Sequence, residues 1–339
     1  MTSTPSGRTP RSPGSSPGPE PGGRRLVAIG GGSGLAVLLR GLKKRVGADI
    51  SSLTAVVCVT DDGGSSGRLR REFGVLPPGD VRNCLAALAD DEDLLARLFQ
   101  YRFTDGFGLA GHSFGNLFLT ALTGLTGDFY QAIVTAERVL SVRGRILPAT
   151  LEDVRLRARG SSGRIFEGEV AVGSAGERLV RLELLPPTAA AFGPAAQAIR
   201  EADLILVGPG SLYTSVLPNL LIPGIRAAVA ASAAPVVLLM NLMTQPGETD
   251  GMDAVAHLEA IREAAGEDLV DAVLVHAGPL PADAVEAYAL TGARPVTADP
   301  ERLRELGVRL VEADLLAEGE LVRHDPERLS RAALSVADL

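Results

Sequence analysis

Two adjacent carboxylates, Asp61 and Asp62, stand in a glycine- and serine-rich loop at residues 60–67. Carboxylates at the end of a strand can hold Mg²⁺, directly or through waters, as magnesium sites that face phosphates do. Arg68 follows, and its guanidinium could pair with a phosphate. A solvated acidic turn that only caps the next helix is the alternative.

A glycine run at residues 30–34 is a second loop with the residue types of a phosphate site. It follows the apolar run 26–29 and precedes helical spacing at 35–40. Glycine adopts positive φ and admits a ligand close to the backbone, and the first N–H groups of a helix favour an anion. A turn that binds nothing is the alternative. The predicted ligand contacts are Gly31, Gly32, Ser33 and Gly34.

The glycine run fits neither of two common nucleotide motifs. A dinucleotide fingerprint counted from Gly30 requires glycine where Leu35 stands, and one counted from Gly32 requires it at Val37. No Lys-Ser or Lys-Thr pair follows, which excludes a P-loop. An NAD-dependent dehydrogenase is therefore disfavoured.

Two later polar loops, at residues 208–215 and 244–251, also follow apolar runs. The first could wrap a nucleotide diphosphate or a sugar, whereas a simple turn is the alternative. Four such loops meeting at one sheet edge are the strongest argument for a binding site. The predicted contacts here are Gly208, Gly210, Ser211, Thr214, Ser215 and Asn241.

The segment 111–115 matches the G-x-S-x-G pattern of α/β-hydrolases, but that motif needs a strand directly before its serine. Residues 104–110 have the composition of a loop, so we expect Ser113 to cap a helix instead. His257 and His276 lack metal-ligand spacing, and a zinc site is not supported.

The elements that must position these loops alternate along the chain. Strand-like runs such as 26–29, 53–59 and 203–207 are separated by helical spacing, which predicts an α/β fold with a doubly wound, mostly parallel sheet. Alternating segments at about 146–186 predict a small antiparallel β insertion. Asp80 is placed to cap a helix at 81–89.

Composition bounds the class of protein. The 339 residues are 46% hydrophobic with net charge −8, and only 4% are aromatic with no Trp, so a nucleic-acid binder is disfavoured. Residues 1–23 are rich in Pro, Ser and Gly and predict a disordered tail before a single domain at 24–339. Cys58 and Cys84, in apolar contexts, suit a reducing cytoplasm. We expect no membrane span.

Several motifs together closely resemble the YvcK family of gluconeogenesis factors, within the wider CofD-like superfamily. The resemblance covers roughly residues 25–335. The matching segments are 28–34, 60–68, 77–83, 111–116, 208–215 and 243–251.

The resemblance implies a Rossmann-like CofD fold that binds a UDP-sugar, notably UDP-N-acetylglucosamine. It also implies a cytoplasmic role in cell shape and peptidoglycan synthesis during gluconeogenic growth, with no established reaction. Tyr288 and Arg323 match the tyrosine and arginine that contact the nucleotide sugar. A phosphorylatable threonine follows that arginine in some members, whereas His324 follows here.

The enzymatic cousin, CofD, is a 2-phospholactate transferase that uses a guanine-nucleotide-activated donor, a deazaflavin acceptor and Mg²⁺. An aspartate matching the pair Asp61 and Asp62 handles the metal there, so a Mg²⁺-dependent transferase is the alternative function. The sequence is also compatible with a homo-oligomer and with cell-wall synthesis regulators as partners, and it specifies neither.

Overall fold

The computed structural model describes residues 23–89 and 94–336. The strands, in chain order, are β1 (Arg24–Gly30), β2 (Ile50–Val57), β3 (Arg145–Pro148), β4 (Arg155–Gly160), β5 (Ile165–Glu167), β6 (Leu179–Leu185), β7 (Leu204–Val207), β8 (Val236–Leu239), β9 (Ala272–His276) and β10 (Arg309–Ala313). The helices are α1 (Gly32–Leu42), α2 (Gly64–Phe73), α3 (Gly79–Leu88), α4 (Leu94–Gln100), α5 (Phe114–Thr126), α6 (Phe129–Val139), α7 (Glu169–Gly173), α8 (Gly193–Arg200), α9 (Leu217–Leu220), α10 (Pro223–Ala231), α11 (Ala254–Ala265), α12 (Ala282–Ala289), α13 (Pro300–Glu305) and α14 (Pro326–Ser335).

Seven strands form one sheet in the order β10-β9-β8-β7-β1-β2-β3, and every neighbouring pair in it is parallel. The central strands are short apolar runs because helices cover both faces of the sheet: all of β7 and β8 is buried. The predicted α/β fold with a parallel sheet is confirmed.

The strand order reverses between β1 and β7. From β1 the chain moves outward through β2 to β3, and after β7 it moves the other way through β8, β9 and β10. The loops that leave β1 and β7 therefore diverge, and such a switch point opens a crevice at the carboxyl ends of the strands. The glycine loops at residues 30–34 and 208–215 lie at this point.

The antiparallel insertion is a separate three-stranded sheet in the order β5-β4-β6. It occupies residues 155–185, and residues 145–148 instead form β3 at the edge of the main sheet. The range 146–186 expected for the insertion therefore begins within a strand of the parallel sheet. Helix α7 lies inside the insertion and brings residues near the acidic loop.

Helix boundaries differ from expectation at one informative place. Helix α3 begins at Gly79 after Pro78, and Asp80 lies in its first turn rather than capping it. Ser113 does cap α5, since its hydroxyl accepts the Asn116 N–H at 3.3 Å. The expected tail at 1–23 falls outside the described residues except for Gly23, and so does the start of the helix expected at 91–102.

Within the described ranges, no single helix has the length and apolar composition to cross a membrane. One bent pair, Leu212–Leu220 with Pro223–Ala231, passes on length and composition alone.

Candidate functional site

The two glycine loops touch each other across the switch point. A Cβ placed on Gly34 would lie 2.4 Å from the Pro209 carbonyl oxygen, and one on Gly31 would lie 3.3 Å from the Ser215 Cβ. Gly32 has φ +64° and faces the Ser215 hydroxyl. Only glycine allows the two backbones this close, so the predicted contacts from both loops share one wall.

Asparagine side chains hold the loop after β7 in place. Asn241 Nδ2 donates to the Gly210 carbonyl at 2.8 Å, and its Oδ1 accepts the Gly210 N–H at 3.1 Å. Asn219 Nδ2 donates to the carbonyls of Gly30 (3.2 Å) and Ser215 (2.8 Å). Asn241, predicted as a ligand contact, therefore uses its amide to position the loop.

Glu248 anchors the short π-helical turn at Leu212–Val216. Its Oε1 accepts the Tyr213 N–H at 2.8 Å and the Ser211 hydroxyl, which also contacts the Thr214 hydroxyl. Burial raises the pKa of Glu248. The hydroxyls of Ser211 and Thr214 are therefore engaged within the protein, and Glu248 is a site residue that we did not single out from the sequence.

Three carboxyl groups converge on the acidic loop beside the glycines. Burial raises the pKa of Asp80 to about 7, helped by the charge of Asp61, while the Gly32 N–H bonds to Asp80. Burial raises the pKa of Glu169 to about 9, helped by Asp61 and Asp80. Asp80 thus lies at the N-terminus of α1, where the glycine run alone predicted a phosphate.

Asp61 and Asp62 point to different neighbours. Asp61 Oδ1 accepts the Gly63 N–H at 2.9 Å, and its Oδ2 would lie 2.4 Å from a Cβ on Gly79. Asp62 accepts the Val170 N–H at 3.1 Å, in the first turn of α7. Asp61 therefore belongs to the carboxyl cluster, whereas Asp62 ties the insertion to the acidic loop.

The carboxyl cluster has the chemistry but not the full ligand set of a cation site. Asp61, Asp80 and Glu169 offer the oxygen ligands that Mg²⁺ prefers, and a cation would relieve their repulsion. Within residues 23–89 and 94–336, however, no three His, Cys, Asp or Glu side chains stand at metal-binding spacing. These residues would hold Mg²⁺ only with waters and ligand oxygens completing the shell.

The predicted helix start at residues 112–116 packs against the acidic loop. Ser65 Oγ and His112 Nδ1 lie 2.9 Å apart, and Asn116 Nδ2 donates to Ser66 Oγ at 3.3 Å. All four side chains are buried, and burial lowers the pKa of His112. This network holds the first turn of α2 in place.

Tyr288 lies on the segment after β9, and Arg323 lies on the segment after β10. Neither segment directly follows β1 or β7, the two strands at the switch point. Tyr288 is half-buried in α12, and Arg323 is exposed. The next residue, His324, bonds to the backbone of Met240 at the end of β8. In the described part of the chain no hydrogen bond joins either side chain to the glycine loops, and the Arg323 guanidinium has no ion-pair partner.

Comparisons with known proteins agree with this architecture. The family model described as 2-phospho-L-lactate transferase CofD matches residues 26–316. The gluconeogenesis factor of Halalkalibacterium halodurans is 47% identical over 313 residues, 92% of this chain and 96% of the relative. That of Bacillus subtilis is 44% identical over 307 residues, 90% of this chain and 96% of the relative.

A solved structure has the same fold. The crystal structure of protein BH3568 from Bacillus halodurans superposes with a TM-score of 0.88 at 46% identity, covering 92% of this chain and 99% of that one. The chain therefore belongs to the CofD superfamily and, within it, to the YvcK family of gluconeogenesis factors.

Proposed function

We propose that this protein binds a UDP-sugar, with UDP-N-acetylglucosamine as the expected ligand, and acts as a regulator rather than an enzyme. In this proposal it works in the cytoplasm during gluconeogenic growth and supports cell shape and peptidoglycan synthesis. The relatives named gluconeogenesis factor support the physiological setting. The ligand is supported by the geometry of the crevice.

The observation that carries the proposal is the meeting of two glycine loops at the β1/β7 switch point. The α1 N-terminus lies there; its own first turn carries no acidic residue, and the Asp80 carboxyl from α3 stands beside it. Its backbone N–H groups favour an anion. Asp80, with a pKa of about 7, can donate a hydrogen bond to a phosphate oxygen when protonated. A diphosphate is the ligand that this chemistry fits.

Arg323 supplies the second part of the proposal. Its guanidinium is exposed and makes no ion pair with the described residues. A free guanidinium can bind a diphosphate through two parallel hydrogen bonds. Tyr288 would add a stacking or hydroxyl contact to the nucleotide sugar.

A second function, Mg²⁺-dependent transfer of a phospholactyl-like group from a nucleotide diphosphate donor, is favoured by the carboxyl cluster. Asp61, Asp80 and Glu169 stand together at the crevice with two raised pKa values, and such values concentrate at functional sites. The match to the CofD family model supports the same alternative.

Thermal-shift measurements distinguish the two functions. The chain would be melted with UDP-N-acetylglucosamine, UDP-glucose, GDP, GTP or NAD, each with and without Mg²⁺. A ligand at about 100 times its dissociation constant adds about 2.7 kcal/mol of stability, which a melt detects readily. We expect a response to uridine sugars. A Mg²⁺-dependent response to guanine nucleotides alone would replace the proposal with the transferase.

The substitution Arg323→Ala tests the assigned contact. Loss of a charge-assisted donor should weaken binding of UDP-N-acetylglucosamine by about tenfold to a hundredfold, with the unliganded melting temperature unchanged. Arg304→Ala is the matched control because Arg304 is also exposed, on α13. Equal affinity for both variants would remove Arg323 from the site.

A further inference from the structure

The outer edge of strand β6 is open. In the insertion sheet β6 pairs with β4 on one side, and among the described residues no other segment forms a backbone hydrogen bond with its outer side. All seven residues of β6 line a groove of about 570 Å³, with Leu217, Ala260 and Ala264 opposite. An unpaired edge of this kind is a template for another strand.

The hydrogen-bond pattern of β4 shows which groups of β6 are free. The Gly160 N–H donates to the Arg164 carbonyl at 2.9 Å, and the Leu156 carbonyl accepts the Gly168 N–H at 2.8 Å. Alternate residues of β4 therefore bond toward β5, and those between them bond toward β6. The outward backbone groups of β6 are consequently those of Val180, Leu182 and Leu184.

The side chains of β6 are self-complementary about its centre. Leu182 stands between Arg181 and Glu183, which form an ion pair with each other along the strand. In an antiparallel pair of two β6 strands centred on Leu182, each Arg181 faces Glu183 of the second copy. The outward groups of Leu182 then pair with those of the same residue across the two-fold axis.

Charged side chains also line the same face of the neighbouring strands β4 and β5. Arg157 of β4 lies opposite Glu183 and pairs with Glu167 of β5 at 3.6 Å. Pairing two copies would extend this row of alternating charges across the axis. On the other face, Val180, 40% exposed, would be opposite Leu184 of the second copy. Opposite charges and apolar pairs directly across strands stabilise such a ladder.

We propose that this chain forms a two-fold dimer in which two β6 edges pair and join the three-stranded insertion sheets into one of six strands. The partner is a second copy of the chain rather than an unrelated peptide, because the Arg181–Leu182–Glu183 segment complements itself in the one register that also pairs the free backbone groups.

Charge reversal tests this interface. Sedimentation velocity across a dilution series should show a species of twice 35.2 kDa for the wild type. Arg181→Glu or Glu183→Arg places like charges opposite each other and should weaken dimerisation by about tenfold. The double variant Arg181→Glu, Glu183→Arg restores opposite charges and should restore the dimer. Arg304→Glu, on exposed α13, is the control.

A cysteine at the centre gives an independent readout. Leu182→Cys places two thiols across the axis at a Cα separation within disulfide range, and the native Cys58 and Cys84 are buried. Mild oxidation should yield a covalent dimer. A wild type that remains monomeric at all concentrations, or single charge reversals that dimerise as well as the wild type, would overturn the proposal. Circular dichroism would confirm that each variant is folded.

Discussion

At the scale of single residues, the crevice is defined by carboxyl groups that the fold holds in an unfavourable setting. Asp80 and Glu169 are half-buried beside Asp61, and the pKa values of the first two rise to about 7 and about 9. A site built only for stability would separate such groups or pair them with cations. Their clustering at the crevice is one of the observations on which the proposed binding role rests.

The raised pKa of Glu169 determines how the stability of the fold changes with pH. Below its ordinary pKa of 4.5, Glu169 is protonated in both folded and unfolded chains. Between that value and about 9 the unfolded chain releases the proton that the folded chain keeps. The free energy of unfolding therefore falls as pH rises through this window.

Glu169→Gln should remove this loss because glutamine does not titrate. We expect the free energy of unfolding of the variant to be about 2 kcal/mol higher than that of the wild type at alkaline pH and equal to it near pH 4.5. Denaturant unfolding at the two pH values measures the difference. Glu312→Gln, at an exposed position on β10, is the control and should change neither value. If the variant and the wild type showed the same pH profile, the folded chain would not keep a proton on Glu169 in this pH window.

At the scale of elements, the two glycine loops act as one unit because their backbones pack directly. Gly34 lies in the first turn of α1, and Pro209 lies in the loop after β7. Asn241 and Asn219 then fix the second loop from two further directions. The crevice wall is therefore built by direct contact between segments that are distant in sequence.

Gly34→Ala tests the close approach. The added Cβ would lie 2.4 Å from the backbone oxygen of Pro209, so one of the loops must move. We expect a loss of about 1–3 kcal/mol in the free energy of unfolding and at least about tenfold weaker binding of UDP-N-acetylglucosamine.

Gly124→Ala is the matched control for that substitution. Gly124 lies within α5, and no heavy atom stands within 4 Å of its added Cβ. Alanine there should stabilise the chain by about 0.5–1 kcal/mol because it lowers the entropy lost on helix formation. Similar losses at both positions would show that Gly34 has no special packing role.

At the scale of the whole molecule, one parallel sheet brings the four polar loops to a common edge. Strands β1 and β7 are neighbours although about 180 residues separate them in the chain. A ligand in the crevice would therefore restrain both halves of the sheet together.

Hydrogen exchange can detect that coupling. Saturating UDP-N-acetylglucosamine should slow amide exchange in both 31–38 and 210–217, by up to about a hundredfold at about 100 times the dissociation constant. Peptides from α13 should be unaffected. Protection of one loop without the other would show that the ligand does not bridge the switch point.

The sequence alone predicted the α/β class, the strand-end loops and the capping of α5 by Ser113, because these depend on patterns within a few residues. It misplaced Asp80 as a helix cap. The Asp80 carboxyl instead bonds to the Gly32 N–H, some 50 residues away, and no local pattern encodes that contact.

The sequence by itself determined which segments become buried strands and which glycine loops follow them, since hydrophobic runs and turn residues act locally. Only the tertiary structure decided which side chains meet. It placed Glu169 of the insertion beside Asp61, brought the Asn241 amide to the Gly210 carbonyl and left the outer edge of β6 unpaired. Strand order and long-range packing control these contacts, and neither can be deduced from residue spacing along one chain.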